Sequence, residues 1–165
     1  MTDDRLEQLE RRLCHLEDQH AIQRLIASYG PLVDAGEADA VAQLWTVDGV
    51  YDIENEGWFM QGRNEVAAVV HSDTHQELNC RGVSHFLGPA VVALDGDHAV
   101  AVCESVLLIK GDGDSGYRAA RVGANHFRLR RIDGVWQVVV QVSRRLDGSD
   151  QARELLSAGI AGRSP

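Results

Sequence analysis

Leu6, Leu9, Leu13 and Leu16 recur at alternating steps of three and four, which lays four leucines along one stripe of an α-helix. The stripe continues as Ile22, Leu25, Ile26 and Tyr29, the i, i+3, i+4, i+7 repeat of a core-facing helix. Gly30-Pro31 is expected to end or kink that helix, because proline lacks the amide hydrogen the ladder requires. A turn resuming after Pro31 would still hold Tyr29 and Asp34 close together. Two heptads are too few to establish a coiled coil. The leucine stretch therefore reads either as a docking face for a partner subunit or as a helix lying on its own domain.

A short helix is expected over Glu37–Trp45, with Val41, Leu44 and Trp45 facing inward. Val50–Ile53 reads as a strand, Glu54–Gly57 as a hairpin loop and Trp58–Met60 as the return strand. Gly62-Arg63-Asn64 opens a helix carrying Val66, Ala67, Val69 and Val70, with Asn64 as its cap. After a polar loop, Ser72 to Asn79, the pattern changes to period two. Val83, His85 and Leu87 share one face of a strand while Ser84 and Phe86 take the other, and Pro89 marks a bulge or an edge. Asp95-Gly96 and Asp133-Gly134 are tight-turn signals. They separate strands over Ala99–Lys110, Tyr117–Arg131 and Val135–Arg145, with a flexible loop over Gly111–Gly116. A short helix over Gln151–Ser157 ends the pattern.

Helices first and long antiparallel strands after argue for an α+β fold, a strongly curved mixed or antiparallel sheet wrapped on N-terminal helices. Such a sheet encloses a cone, a natural small-molecule pocket. The length of 165 residues fits one domain, with residues 1–20 as a helical extension and 147–165 as a tail. A net charge of −9 argues against a nucleic-acid groove or an acidic membrane surface. Cys14, Cys80 and Cys103 are odd in number and lack CxxC spacing, so a reducing cytoplasm is expected. Thr2–Glu10 is charged rather than signal-like, and no apolar run approaches the ~20 residues of a membrane span.

Chemistry concentrates on few residues. Asp34 on an otherwise apolar turn is costly to bury without a partner, and His85 is a natural one. His71 and His75 are spaced i, i+4 but lack the glutamate of an HExxH motif, so no metal site is expected. Asn125 and His126 alternate on one strand, and only one of them can face the pocket. Cys103 is expected in the core, with no base spaced to activate it. Trp45, Trp58, Phe59, Met60, Phe86 and Phe127 supply apolar bulk, as pocket wall or as ordinary core.

Five stretches together carry a family resemblance. They are Ala21-Ile22-Gln23-Arg24-Leu25; Tyr29 and Asp34 leading to Leu44-Trp45; His85-Phe86-Leu87-Gly88-Pro89; Asp95; and Arg131-Ile132-Asp133-Gly134-Val135-Trp136. Over nearly its whole length the chain resembles the SnoaL-like group of the nuclear transport factor two-like superfamily, which includes dehydratases, a dehydrochlorinase, isomerases and polyketide cyclases. The resemblance implies the cone fold and a cofactor-independent lyase of dehydratase or dehydrohalogenase type. Tyr29, Asp34 and His85 stand where bile-acid dehydratase-like enzymes place catalytic residues. Trp45, Trp58, Phe86, Asn125, Phe127 and Gln141 are the candidate contacts for a small hydrophobic, ring-containing substrate. Two positions depart from the pattern. An acidic residue of the bile-acid enzymes would fall near Leu108, and an arginine of the dehydrochlorinase-like enzymes near Gln141, a charge that Arg144 or Arg145 could supply. Isomerase, cyclase and non-catalytic ligand-binding or dioxygenase-small-subunit-like readings stay open. The exposed sheet face of such folds often buries against another copy, so a homo-oligomer, dimer or trimer, is expected.

Overall fold

The structure, a computed structural model, describes residues 3–53, 57–113 and 115–165. Most of the hairpin loop expected at 54–57, and Asp114 of the second loop, lie outside the described residues. Among the described residues, five helices, α1 (Asp3–Asp34), α2 (Ala38–Ala42), α3 (Arg63–His71), α4 (Asp73–Arg81) and α5 (Asp150–Ile160), accompany seven strands. The strands are β1 (Trp45–Ile53), β2 (Trp58–Gln61), β3 (Val83–Leu87), β4 (Val91–Asp95), β5 (His98–Lys110), β6 (Tyr117–Ile132) and β7 (Val135–Arg145). They form one mixed sheet in the order β2-β1-β7-β6-β5-β3, with β4 following β3 along β5. Among the described residues, β1 pairs with β7 in parallel and the other pairings are antiparallel.

Helix α1 runs through Pro31 rather than ending there. Its last turn is held from outside: Val33 is buried, and Asn79 Nδ2 of α4 donates to the Val33 carbonyl at 3.0 Å. Gly30 supplies the close approach. A Cβ there would overlap the carbonyl oxygen of His85, so glycine lets the helix lie directly on β3. Farther up the helix, Asp18 accepts hydrogen bonds from Arg131 at 2.7 Å and Trp136 Nε1 at 2.8 Å. Residues 3 to 17 are all exposed.

Several boundaries differ from expectation. Trp45 opens β1 instead of closing a helix, because its backbone pairs with Val138 of β7. Gly62, with φ of 84°, takes the cap position of α3, where Asn64 was expected to cap. Most of the stretch expected as loop, Ser72 to Asn79, instead belongs to α4, whose start is capped by Ser72 Oγ accepting from the His75 amide at 3.3 Å. Pro89 ends β3, so two short strands replace one. The last helix is longer than expected and packs on the outer face of the sheet. There Ala152 and Leu155 cluster with Ala124, and Gly159 lies tight against Val102. The sheet face expected to meet another copy is thus partly covered by the chain itself. Inside the curve, Ile22, Ile26, Trp45, Ala101, Phe127 and Leu129 belong to the main core.

Candidate active site

A cavity of about 310 Å³ opens within the curve of the sheet, walled by α1–α4 and by six of the strands. Its wall is mostly apolar, with Ile53, Met60, Val66, Val70, Leu78 and Leu87 prominent. Trp58 and Phe86 stand exposed at the rim.

Helix periodicity places Gly30 and Asp34 one turn apart on one face, so seating Gly30 on β3 brings the Asp34 carboxylate to the same strand. Asp34 Oδ1 lies 2.6 Å from His85 Nδ1, and Oδ2 accepts the His85 backbone N–H at 3.0 Å. Both side chains are partly buried. The carboxylate fixes ring and strand together and leaves the second ring nitrogen of His85 for the cavity that this residue lines. The Tyr29 ring packs edge-on against Trp45, Tyr51 and His85, at centroid distances of 5.8, 6.3 and 6.4 Å. Burial, first of all, pushes the Tyr29 phenol well above the ordinary tyrosine value, with Tyr51 and Asp34 adding to the effect. The phenol therefore keeps its proton as a donor.

The predicted trio, Tyr29, Asp34 and His85, is brought together at one end of the cavity. Asn125 and Gln141 are buried and line its floor. Gln141 Nε2 donates to Asn125 Oδ1 at 3.3 Å, and Asn125 Nδ2 to Ser105 Oγ at 2.8 Å. Trp45 and Phe127, expected as substrate contacts, lie instead in the core behind the wall, where Trp45 backs Tyr29 and Tyr51. His126 takes the opposite face of β6 and bonds the Arg163 carbonyl at 2.8 Å.

Two cavity-lining groups were not placed at the site by the sequence reading. His75 comes from α4, and its ring lies 5.5 Å from that of His85. Burial, and then the neighbouring His85, push His75 below the ordinary histidine value, opposed by its hydrogen bond to the Val33 backbone and by Asp34. His71 lies on α3, beyond the helix break at Ser72, and no group of three or more metal-ligating side chains exists among the described residues. Arg121, rather than Arg144 or Arg145, brings a guanidinium to the cavity, where its Nη1 donates to Ser143 Oγ at 3.1 Å. Arg144 pairs instead with Asp52 at 2.9 Å. Parity could have found Arg121, since it stands two and three pleats from Asn125 and Phe127 on the same face.

The architecture is that of the SnoaL-like group of proteins. The chain belongs to that family: the SnoaL-like domain matches residues 14–141. A nuclear transport factor two-like protein with a cystatin-like fold from Novosphingobium aromaticivorans is 41% identical, with 94% of this chain and 99% of that one covered and a TM-score of 0.87. Two more distant structures share the fold alone. A protein of unknown function from Mycobacterium tuberculosis is 22% identical over 89% of this chain and 92% of that one, with a TM-score of 0.70. A candidate scytalone dehydratase from Novosphingobium aromaticivorans is 16% identical over 79% and 85%, with a TM-score of 0.67. No match was found among curated proteins. No helix among the described residues is long and apolar enough to cross a membrane.

Proposed function

We propose that the protein is a cofactor-independent lyase that eliminates water, or halide, from a small hydrophobic ring compound. The observation that carries this reading is the 2.6 Å contact of Asp34 with His85 Nδ1 at the wall of an open, largely apolar cavity. Neutral His85 takes a proton from carbon beside a carbonyl or an aromatic ring, and Asp34 stabilises the imidazolium that forms. Tyr29 donates to the oxygen on which negative charge develops. The C–O bond then breaks, and the proton taken from carbon leaves with the departing hydroxyl as water. Arg121, facing the same space, suits a substrate carrying an oxygen acceptor or an anionic group. An open cavity holding the bonded pair favours an enzyme over a non-catalytic cone. Isomerisation would use the same base without a leaving group.

The test is a screen of hydroxylated ring compounds, read by mass spectrometry for loss of one water, with His85→Asn run alongside. The proposal expects at least one compound to be dehydrated by the wild type and not by the variant. Turnover that survives in His85→Asn, or no dehydration across the set, overturns it.

A further inference from the structure

The leucine stripe at the start of α1 is a surface, not core. Leu6, Leu9, Leu13 and Leu16 are 45%, 45%, 56% and 59% exposed. Their helix face points away from the domain. The opposite face, with Glu7, Arg11, Cys14 and Asp18, borders the groove beside Leu94, Gly96 and Arg131, and Glu10 and His15 at the edges of that face also line it. The ion pairs of Arg11 with Glu7 and of Asp18 with Arg131 also lie on that back face. A free helical segment of about fifteen residues is marginal without tertiary support, and this one spends its apolar stripe on solvent.

Charge says what covers it. With Leu6 and Leu13 at heptad position a and Leu9 and Leu16 at d, Arg5 and Arg12 fall at g while Glu10 and Glu17 fall at e. Within their own helix these four charges have no opposite charge three or four residues away, except His20 beside Glu17. In a parallel pair of identical helices, each g residue meets the e residue five positions on in the other strand. Arg5 then meets Glu10, and Arg12 meets Glu17. An antiparallel pair would set g against g and e against e, with arginine facing arginine and glutamate facing glutamate.

We infer that α1 pairs in parallel with α1 of a second copy of this chain, the four leucines forming the seam and two Arg–Glu contacts flanking it on each side. The seam ends where His20 takes the next a position and the helix enters its own domain.

Light scattering on the whole chain tests this. The wild type should have a mass of twice 18.1 kDa, or an even multiple of it. Leu9→Asp with Leu13→Asp should halve that mass while the thermal midpoint and circular dichroism of the domain stay unchanged. Arg5→Glu with Arg12→Glu, which alters no apolar surface, should also halve it. Mixing this variant with Glu10→Arg/Glu17→Arg should restore it. Orientation is read separately. In a Cys14→Ser/Cys80→Ser background, Leu6→Cys should form an intermolecular disulfide, whereas an antiparallel pair would hold the two sulfurs roughly 15 Å apart along the axis. A monomeric wild type, a mass indifferent to the leucine variant, or no crosslink at position 6 overturns the proposal.

Discussion

His85 and His126 sit on one sheet, and they show what separates a candidate base from a structural histidine. His126 faces outward beneath α5, where Nε2 meets the Arg163 carbonyl at 2.8 Å, and burial, before any other cause, pushes it below the ordinary value. His85 faces inward, has a carboxylate on Nδ1 and borders open space. Residue type and strand position are the same in kind. The difference lies in what the neighbouring helix brings. α5 presents small and aliphatic residues to the outer face, whereas the end of α1 presents Gly30 and Asp34 to β3.

The largest expected effect breaks the inner region alone. Asp34→Asn keeps the shape of the side chain but removes the charge that stabilises an imidazolium. Turnover of any compound the protein dehydrates should fall by about 10²–10⁴, with the urea midpoint little changed. A variant retaining full kcat would make His85 no different in kind from His126.

Leu155→Ala tests the outer region. Leu155 is 4% exposed in the small cluster under α5, and its truncation should cost about 2–5 kcal/mol, read by urea unfolding. Activity at 25 °C should persist, since the inner face is untouched. Gly30→Ala joins both effects at a smaller scale. The added methyl overlaps the His85 carbonyl, so stability should drop by about 1–3 kcal/mol and kcat should fall with it as Asp34 is lifted away. Equal stability with unchanged kcat would show that α1 does not set the dyad.

The smallest effect is one of pH, and it involves both regions. His75 inside and His126 outside are each held below 6.5 in the folded chain, so the unfolded chain binds more protons as pH falls through that value. Stability present above 6.5 is therefore lost progressively below it. His75→Gln and His126→Gln should each flatten part of that decline, measured as thermal midpoint against pH. Two variants that track the wild type would assign the acid loss elsewhere.

The helix–strand order, the long strands and the Tyr29, Asp34, His85 trio were legible because periodicity and the family resemblance act on the same residues. α4 was not, since DTHQELNCR carries a single aliphatic residue, Leu78, and no apolar repeat. That helix exists because Ser72 caps it and Asn79 bonds the end of α1, a tertiary tie that no local pattern encodes. The place of His75 beside His85 was hidden with it. Trp45 was misplaced for a related reason: a large apolar residue suits a helix end and a strand start equally, and only pairing with β7 decides. The continuation of α1 past Pro31 likewise depends on β3 lying beneath it.

The backbone N–H of His85 donates to a carboxylate on another element, not to a sheet carbonyl. Its exchange with deuterated solvent therefore clocks the separation of α1 from β3. Slow exchange at this single amide would report, without any substrate, how long the Asp34–His85 pair stays assembled between excursions. A ligand that seals the cone should lengthen that interval.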